Sequence, residues 1–596
     1  MSGIGMTLNI AATALLAQKY GMDVTAHNIA NVNTPGYSRQ SPVYSAKIPA
    51  LYGSLVIGRG VDTKEIIRSY DQFVENQLMQ KRSGMVSSQE LESYMKILEG
   101  LFNEDAETGV SSLLADFWNL WHDISNNPSG APERIALLEH SDLLSRRLLD
   151  LDAELSSIQK DLTSSISAGV VRINEITSQI ATLNGLAVEM SGSRSVNDIM
   201  DQRNTLVSEL SGYLDIKTFE QENGSITIVS ARGCILVQEN SSYGLQMGGS
   251  NGDRVQWQGS NGATVDITNY ISEGRLSGWL DMRDEILAKY MLDLDAMSKE
   301  FIWSVNFQHS QGVGLKLFQP ETTITGTYQT KTDDGQLGTL PFGDRNRIRF
   351  IEDGFKLWIE DRKDPDGPKI NISIDLSGLA IDSKLSDLAG TINDQISSND
   401  QIPSDSVDVD GSGAAIKFTA QNGYAFGFSD DDSGILAALG VNTFFHGSGA
   451  GSIGVNSVLS DTDYIAAGRI GAGGEYTKGD NTNSIALADL QYRLVEVSQW
   501  TCDRADGNKA GSVSTTIESY YHALVGSIGI ASRAVSRGRA FYETMVHKLT
   551  EVRDSISAVS LDEEMANLIK FQHAYSAAAK LISVSDEMMD TLLNVK

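Results

Sequence analysis

Three short stretches hold residues whose types and spacing could do chemistry. Gly449-Ala450-Gly451-Ser452-Ile453-Gly454 fits G-x-G-x-x-G, in which glycines let the backbone approach a pyrophosphate. It lies in a Ser/Gly-rich loop and opens no evident helix, so the helix N-terminus that would meet the phosphates is missing from the pattern. Asp408-Val409-Asp410-Gly411 and Asp430-Asp431-Asp432 offer the hard oxygen ligands that calcium takes. Thr419 stands where an EF-hand beginning at Asp408 needs its final Glu, and both runs adjoin glycine, which favours plain turns. The H-E-x-x-H and G-x-x-x-x-G-K-[ST] patterns do not occur. The eight histidines show no close pairing, and Trp118 with Trp121 reads as core. These residues point to no catalytic group, cofactor or metal, and to a protein that is not an enzyme.

The stronger patterns are at the two ends. Ile4, Leu8, Ala11, Leu15, Gln18, Met22, Thr25 and Ile29 step by four and three, the seam spacing of a coiled coil. Leu561, Met565, Leu568, Gln572, Tyr575, Ala579, Ile582, Asp586, Met589 and Leu593 do the same near the C-terminus. Ser560 and Glu563 have the spacing of a capping box at the start of that helix. The seams predict that the ends pair with each other or with neighbouring copies; the plainer alternative is two amphipathic helices on an ordinary core. Each seam side chain gains roughly 1.5–3 kcal/mol when buried, whereas ordering costs roughly 1–2 kcal/mol per residue. A lone end helix is therefore marginal, and its folding is expected to be coupled to assembly.

With 596 residues the chain has room for several domains. Its 47 basic against 77 acidic residues give a net charge of −30, which argues against nucleic acid or anionic lipid as a partner. No apolar run is long enough to span a membrane, and Lys19 is the first basic residue, so no cleaved secretory signal is expected. Cys234 and Cys502 are either two free thiols or one bridge.

In Asn28-Ile29-Ala30-Asn31-Val32-Asn33-Thr34-Pro35-Gly36-Tyr37, a Pro-Gly pair predicts a type II turn after the first helix. Strands are expected from Val43 to Ile67, turning at Gly53 and at Gly58-Arg59-Gly60. Helix follows from Ser69 to Gly192, with breaks at Ser83-Gly84, near 103–109 and at 126–128, leaving Pro132–Met190 as one uninterrupted rod. Strands include Ser225–Val229 and, in a Gly- and Asp-rich stretch from about 320 to 480, Arg347–Phe350, Phe355–Ile359, Ile370–Ile374 and Ala415–Thr419. Helix is expected again from Asn483 to Ala558 with a break near Gly507, and 322–478 is expected to be dispensable for the body around it. The fold class is mixed α and β and multidomain: paired terminal helices (1–45 with 546–596), an elongated helical-bundle body with small β elements (46–320 with 480–545), and an inserted β-rich outer part (321–479).

Several of these stretches resemble one family. Asn28, Asn31, Thr34, Pro35, Gly36 and Tyr37 match the N-terminal signature of the axial proteins of the bacterial flagellum. Ser38-Arg39-Gln40, Phe117-Trp118, Asp201-Gln202-Arg203-Asn204, Gly274-Arg275-Leu276-Ser277-Gly278, Leu439 to Phe445 and Leu561-Asp562-Glu563-Glu564 are, in this order, similar to the hook-associated protein 1 family of the hook–filament junction. From about Thr322 to Ser429 the resemblance is poor. It implies a structural role in a ring of copies, with the flagellar hook protein on one side and hook-associated protein 3 on the other. It also implies a cytoplasmic chaperone on the C-terminal helix, and export to an extracellular position without a cleaved signal. The competing readings are another axial protein (hook or rod), against which the long helical stretch speaks, and an adhesin or enzyme on a coiled-coil stalk.

Overall fold

The computed structural model describes residues 2–52, 55–105, 108–190, 196–364, 367 and 369–594; the turn expected at Gly53 and the helix end at Gly192 lie outside them. Helix α1 (Ser2–Ala30) leads into a two-tier hairpin of β1 (Gln40–Ala46), β2 (Ala50–Tyr52), β3 (Leu55–Ile57) and β4 (Val61–Arg68). Then come α2 (Gln72–Leu101), α3 (Val110–Asn126), α4 (Ala131–Glu189) and α5 (Val196–Ser211). One antiparallel sheet is β5 (Ile216–Glu220), β6 (Ile226–Ser230), β7 (Ile235–Gln238) and β8 (Ser241–Ser242); a second is β9 (Leu245–Gly248), β10 (Arg254–Gln258) and β11 (Thr264–Asp266). Helix α6 (Gly274–Asp281) passes through a π-helical stretch into α7 (Ala288–Ser310). The β-rich stretch holds β12 (Thr323–Thr325), β13 (Phe355–Asp361), β14 (Ile370–Ile374), α8 (Leu385–Ser397), β15 (Val407–Asp410), β16 (Lys417–Ala420), β17 (Tyr424–Ser429), α9 (Ile435–Leu439), β18 (Phe445–His446) and β19 (Gly454–Val455). The chain ends with α10 (Thr482–Ala488), the hairpin β20 (Val495–Thr501) and β21 (Lys509–Thr515), α11 (Ile517–Ser557) and α12 (Leu561–Asn594). The architecture is mixed α and β, in two compact units: Met1–Tyr94, Leu162–Met282 and Arg533–Lys596 form one, Met95–Asp161 and Arg283–Ser532 the other.

Helix α4 runs 59 residues without a break, about 88 Å at 1.5 Å per residue. Its stripe of Leu144, Leu148, Leu151, Leu155, Leu162, Ile166, Ile173, Ile176 and Ile180 is fully buried, which explains why so long a helix persists. In the first unit the C-terminal half of that stripe shares one core with Leu210, Leu214, Ile228, Leu236, Leu276 and Leu280. Three local expectations fail. Ser83-Gly84 does not break α2; a Cβ on Gly84 would lie 2.6 Å from the Tyr542 ring, so the glycine admits α11 rather than ending a helix. Arg347–Phe350 is not a strand: Arg347 is tied to Glu300 and Asp344, and the Arg349 N–H donates to the Ser433 carbonyl. Residues 495–515 are a β-hairpin rather than helix, because Val495, Val497 and Gln499 alternate and Gly507, at φ 76°, makes the turn.

In the second unit, α3 and α7 build an aromatic core into which Phe444 and Phe445 are inserted. Phe117 packs against Trp118, Phe301, Phe444 and Phe445 at centroid separations of 4.8, 5.3, 5.9 and 5.8 Å. The end of the β-rich stretch is thus part of the same core as the helices, so removing 322–478 would open that core.

His309 lies in this core. Its Nδ1–H donates to the Asn442 carbonyl (2.8 Å) and its Nε2 accepts the Ala466 N–H (3.0 Å), so the neutral ring is satisfied on both sides. Burial, with the nearby Arg134 charge, pushes its pKa down to about 4. The unfolded ring takes a proton below about 6.5 and the folded ring does not, so stability falls as pH drops from about 6.5 to about 4. Asp431 acts oppositely: burial pushes its carboxyl up to about 6, so its contribution is lost as pH rises toward that value. The two trends offset in the parent. Replacing His309 by Gln removes one of them, so the stability gap between parent and variant is expected to narrow by roughly 3 kcal/mol from pH 6.5 to pH 4. Urea denaturation across that range measures the gap, and a pH-independent gap refutes the assignment.

Candidate functional site at the joined chain ends

Helices α1 and α12 pack antiparallel, with Gly21 against the Phe571 ring and Asn28 bonded to Glu564. On α12 the inward positions step by four and three as Glu564, Leu568, Phe571, Tyr575, Ala578, Ile582, Ser585 and Met589, all buried or half-buried. Leu568, Tyr575, Ile582 and Met589 of the sequence-derived seam are among them. Met565, Gln572, Ala579 and Asp586 each yield to the residue before; of these Ala579 is half-buried and the other three exposed, as are Leu561 and Leu593. On α1, Ala11 and Thr25 are buried, Ile4, Leu15, Gln18, Met22 and Ile29 half-buried, and Leu8 exposed. At Gly21 the two helices come close, since a Cβ there would lie 2.8 Å from Phe571; Ala11, Thr13 and Ala17 are also buried, Thr13 beside Gly60 and Ala17 with its carbonyl accepting from Tyr44. A four-and-three count begun at Leu561 puts Gln572 and Asp586 in line, whereas the inward row of α12 begins at Glu564 and takes in Phe571 and Ser585 instead.

Where the two helices meet, a polar clamp gathers motifs far apart in the chain. The Thr34–Tyr37 turn closes through the Tyr37 N–H and the Thr34 carbonyl (3.2 Å), with Gly36 at φ 79° as a type II turn requires. Asn31 anchors it, donating to the His27 carbonyl and accepting from Thr34 Oγ1. Asn28 is buried and its amide fully used. Nδ2 donates to the Gln40 carbonyl and to Glu564 Oε2 (both 2.9 Å), and Oδ1 accepts from the Gln40 N–H (3.0 Å) and the Tyr37 hydroxyl (2.7 Å). Arg39 Nε donates to Glu564 Oε1 at 2.9 Å across 525 residues of sequence, its Nη1 lies 3.0 Å from Glu563 Oε2, and its N–H donates to the Ser557 carbonyl. From α5, Asp201 accepts the Ser38 N–H and hydroxyl and Arg68 Nη1 at 2.8–3.0 Å, while Asp198 accepts Gln40 Nε2. Burial, then the Asp198, Asp201 and Glu564 charges, hold the Tyr37 hydroxyl well above its usual range, so it stays a donor. The signature residues Asn28, Asn31, Thr34, Pro35, Gly36 and Tyr37 thus meet the Asp201-Gln202-Arg203-Asn204 and Leu561-Asp562-Glu563-Glu564 motifs. Arg39, Gln40 and Glu564 entered the sequence reading only as members of the Ser38-Arg39-Gln40 and Leu561-Asp562-Glu563-Glu564 motifs, and Asp198 did not enter it at all.

The stretches that suggested chemistry are used structurally. The Ala450 N–H donates to Asp295 Oδ1 (3.1 Å), and a Cβ on Gly449 or Gly451 would overlap Asp295 or Asp152 respectively, so the glycine loop cradles the chain's own carboxylates. Asp431 accepts the Ser433 hydroxyl and the Leu436 N–H at the start of α9, and Asp430 pairs with Lys356 at 2.9 Å. The Ser412 side chain and backbone N–H together hold the Asp410 carboxyl below the usual range. Among the described residues no group of three or more His, Cys, Asp or Glu is placed to hold a metal ion. Gly248-Gly249-Ser250-Asn251-Gly252 fits the G-x-S-x-G spacing of a hydrolase, a match sequence reasoning missed, but it forms the β9–β10 turn rather than a strand-to-helix elbow. Trp118 and Trp121 are core, and Cys234 and Cys502 are free thiols. No helix among the described residues is long and apolar enough to cross a membrane.

Residues 95–320 match the family described as the flagellar hook-associated protein FlgK helical domain. Residues 8–37 match the flagella basal body rod protein family, and 554–595 the C-terminal part of the flagellar basal body rod FlgEFG proteins. The clamp therefore joins both terminal matches. Flagellar hook-associated protein 1 of Bacillus subtilis (strain 168) is 23% identical over 630 residues, covering 100% of this chain and 99% of its own length. That of Escherichia coli (strain K12) is 25% identical over 611 residues, covering 99% of each. Among solved structures, the flagellar hook junction protein FlgK from Burkholderia pseudomallei aligns with a TM-score of 0.49 at 16% identity, covering 81% of this chain and 100% of that one. With both end motifs brought to one clamp and the FlgK helical domain matched between them, this chain is similar from end to end to flagellar hook-associated protein 1.

Proposed function

We propose that the chain is a structural, non-enzymatic protein of the bacterial flagellum that forms the junction between hook and filament. The observation that carries this is the terminal pair itself. The clamp fixes α1 against α12, yet Leu561, Met565, Ile569, Leu581, Val584 and Met588 of α12 remain exposed. Burying such side chains against neighbouring copies would supply roughly 1.5–3 kcal/mol each. In this reading the terminal helices (1–45 with 546–596) line a ring of copies, the body (46–320 with 480–545) forms its wall, and 321–479 faces outward. The flagellar hook protein and hook-associated protein 3 are its axial neighbours. A cytoplasmic chaperone covers the exposed face of α12 until export, without a cleaved signal, places the protein outside the cell.

The test is Leu561→Asp with Met565→Asp. Both side chains are exposed in the single chain, so the purified variant is expected to keep parental stability within about 0.5 kcal/mol. In assembled copies a buried unpaired carboxylate costs several kcal/mol, so cells carrying the variant are expected to grow hooks without filaments and to shed filament protein. Normal filaments on those cells refute the assembly role of this face.

A further inference from the structure

A long groove in the first unit is left unfilled by the chain. It has a volume of about 830 Å3 and runs along β5 beneath α2. Residues from both faces of β5, Ile216 and Thr218 on one and Lys217 and Phe219 on the other, line it, so it wraps the strand's edge. That edge is free: among the described residues β5 pairs with β6 alone. The polarity of the edge follows from the ladder. The Gln221 N–H donates to the Ser225 carbonyl, whereas the Ile226 N–H, opposite Glu220, turns away to Asn184. By antiparallel alternation, Phe219 and Lys217 bond toward β6, and the N–H and C=O of Ile216, Thr218 and Glu220 point into the groove. Its walls include the half-exposed Phe219 and Tyr270. At the Ile216 end stands Glu273, half-buried, with no hydrogen bond or ion pair among the described residues; burial and the neighbouring Asp215 hold its carboxyl above the usual range.

The same unit carries a segment of the complementary kind. The β2–β3 tip is a two-stranded ladder of three residues per strand, too small to be stable in water on its own. Its apolar side chains are nonetheless in solvent: Ile48, Leu51 and Val56 are 84%, 78% and 68% exposed. Arg59, just past β3, is exposed and makes no ion pair among the described residues. Among the described residues, none of this tip lines the groove of its own chain.

We propose that the β2–β3 tip of one copy docks in the β5 groove of the next, β3 adding antiparallel to β5. Across the two-residue hairpin, Ala50 and Ile57 are a hydrogen-bonded pair, so Val56 is the β3 residue whose N–H and C=O face outward; setting it opposite Thr218 brings Arg59 opposite Asp215, beside Glu273. Backbone pairing of Val56 with Thr218 supplies the attachment, and Arg59 at Glu273 and Asp215 supplies the selectivity. The contact is head-to-tail, so repeated around an axis it closes a ring. It rests on the reading of this chain as a ring-forming junction protein and names one of the surfaces that would hold the ring together.

In this register Ile57 and Lys217 form a non-hydrogen-bonded pair with Cβ atoms about 4.5–5.5 Å apart, within reach of a disulfide after slight adjustment. The experiment mixes concentrated full-length chains carrying Ile57→Cys with chains carrying Lys217→Cys under mild oxidation, and identifies linkages by peptide mass. The 57–217 link is expected at least tenfold above a control in which Ser242→Cys, on the far edge of the sheet, replaces Lys217→Cys. Thr218→Pro, which blocks the outward edge without removing a bond to β6, is expected to reduce it tenfold, provided circular dichroism shows the variant folded. Independently of that variant, Arg59→Glu is expected to suppress the link and Glu273→Arg on the receiving chain to restore it. A yield equal to the control, or one indifferent to Arg59→Glu, overturns the contact. If the link is absent while the parent still restores hook-borne filaments to cells lacking the protein, this contact falls and the junction reading stands. A link in a chain that restores no filaments leaves the contact and removes that reading.

Discussion

Replacing Glu564 by alanine is expected to destabilise the terminal helix pair by about 3 kcal/mol, the low end for breaking a buried ion pair. The carboxylate side chain is only 3% exposed and accepts from both Arg39 and Asn28. Its loss strands one Asn28 donor in a buried site and strips Arg39 of its better partner. The cost stays below the full range because the Arg39 side chain is 26% exposed and keeps Glu563 at 3.0 Å. Glu563, itself 63% exposed, provides the control: Glu563→Ala is expected to cost less than about 1 kcal/mol. Hydrogen exchange of the α12 amides reads the difference directly. In the Glu564 variant, protection should fall from Leu561 through Ala578, and proteolysis should begin near Ala558–Ser560. Equal behaviour of the two variants would show that the clamp is not what seats α12.

How much of this was legible depended on the range of the interaction. Helix α4 was read almost to its ends, because its stripe repeats locally and Pro132 and the residues after Glu189 bound it. The β20–β21 hairpin was misread as helix, since Val495-Glu496-Val497-Ser498 alternates for only a few residues and the Asp506-Gly507 turn signal was taken as a helix break. The terminal seam was displaced by one position at alternate sites, because strict four-and-three spacing from Leu561 admitted Gln572 and Asp586, while the partner helix is met by Glu564, Phe571 and Ser585, a choice set by α1 and its clamp far away in sequence. The clamp was recognised as motifs but not as one site. Nothing in the spacing of Arg39 or Asn28 tells that their partner stands more than 500 residues away. The glycine loop at 449–454 was read as a Ser/Gly loop, but the carboxylates it cradles, Asp295 of α7 and Asp152 of α4, lie far off in sequence and were invisible.

The other large effect concerns that same long-range packing. Phe117→Ala is expected to cost the second unit roughly 3–5 kcal/mol, the range for removing a buried aromatic side chain from a core that cannot collapse around the void. Phe117 is fully buried, and its ring joins α3 to α7 through Phe301 and to the end of the β-rich stretch through Phe444 and Phe445. Edge-to-face geometry with Trp118, Phe301 and Phe444 adds to what burial alone supplies. Phe117→Leu keeps most of the volume and loses the aromatic edges, so it should fall between the parent and the alanine variant. Tyr492→Ala, at an exposed position, should stay within about 0.5 kcal/mol. The same argument extends to the whole segment. Exchanging 322–478 for a Gly/Ser linker removes Phe444, Phe445 and both hydrogen-bond partners of His309, and leaves the ring of Phe117 and the imidazole facing water or each other. That chain is expected to lose helical signal and to aggregate. If it stays soluble and helical, or if Phe117→Ala falls within 1 kcal/mol of the parent in urea denaturation, then α3 and α7 hold together without the aromatic insertion and the segment is an appendage after all.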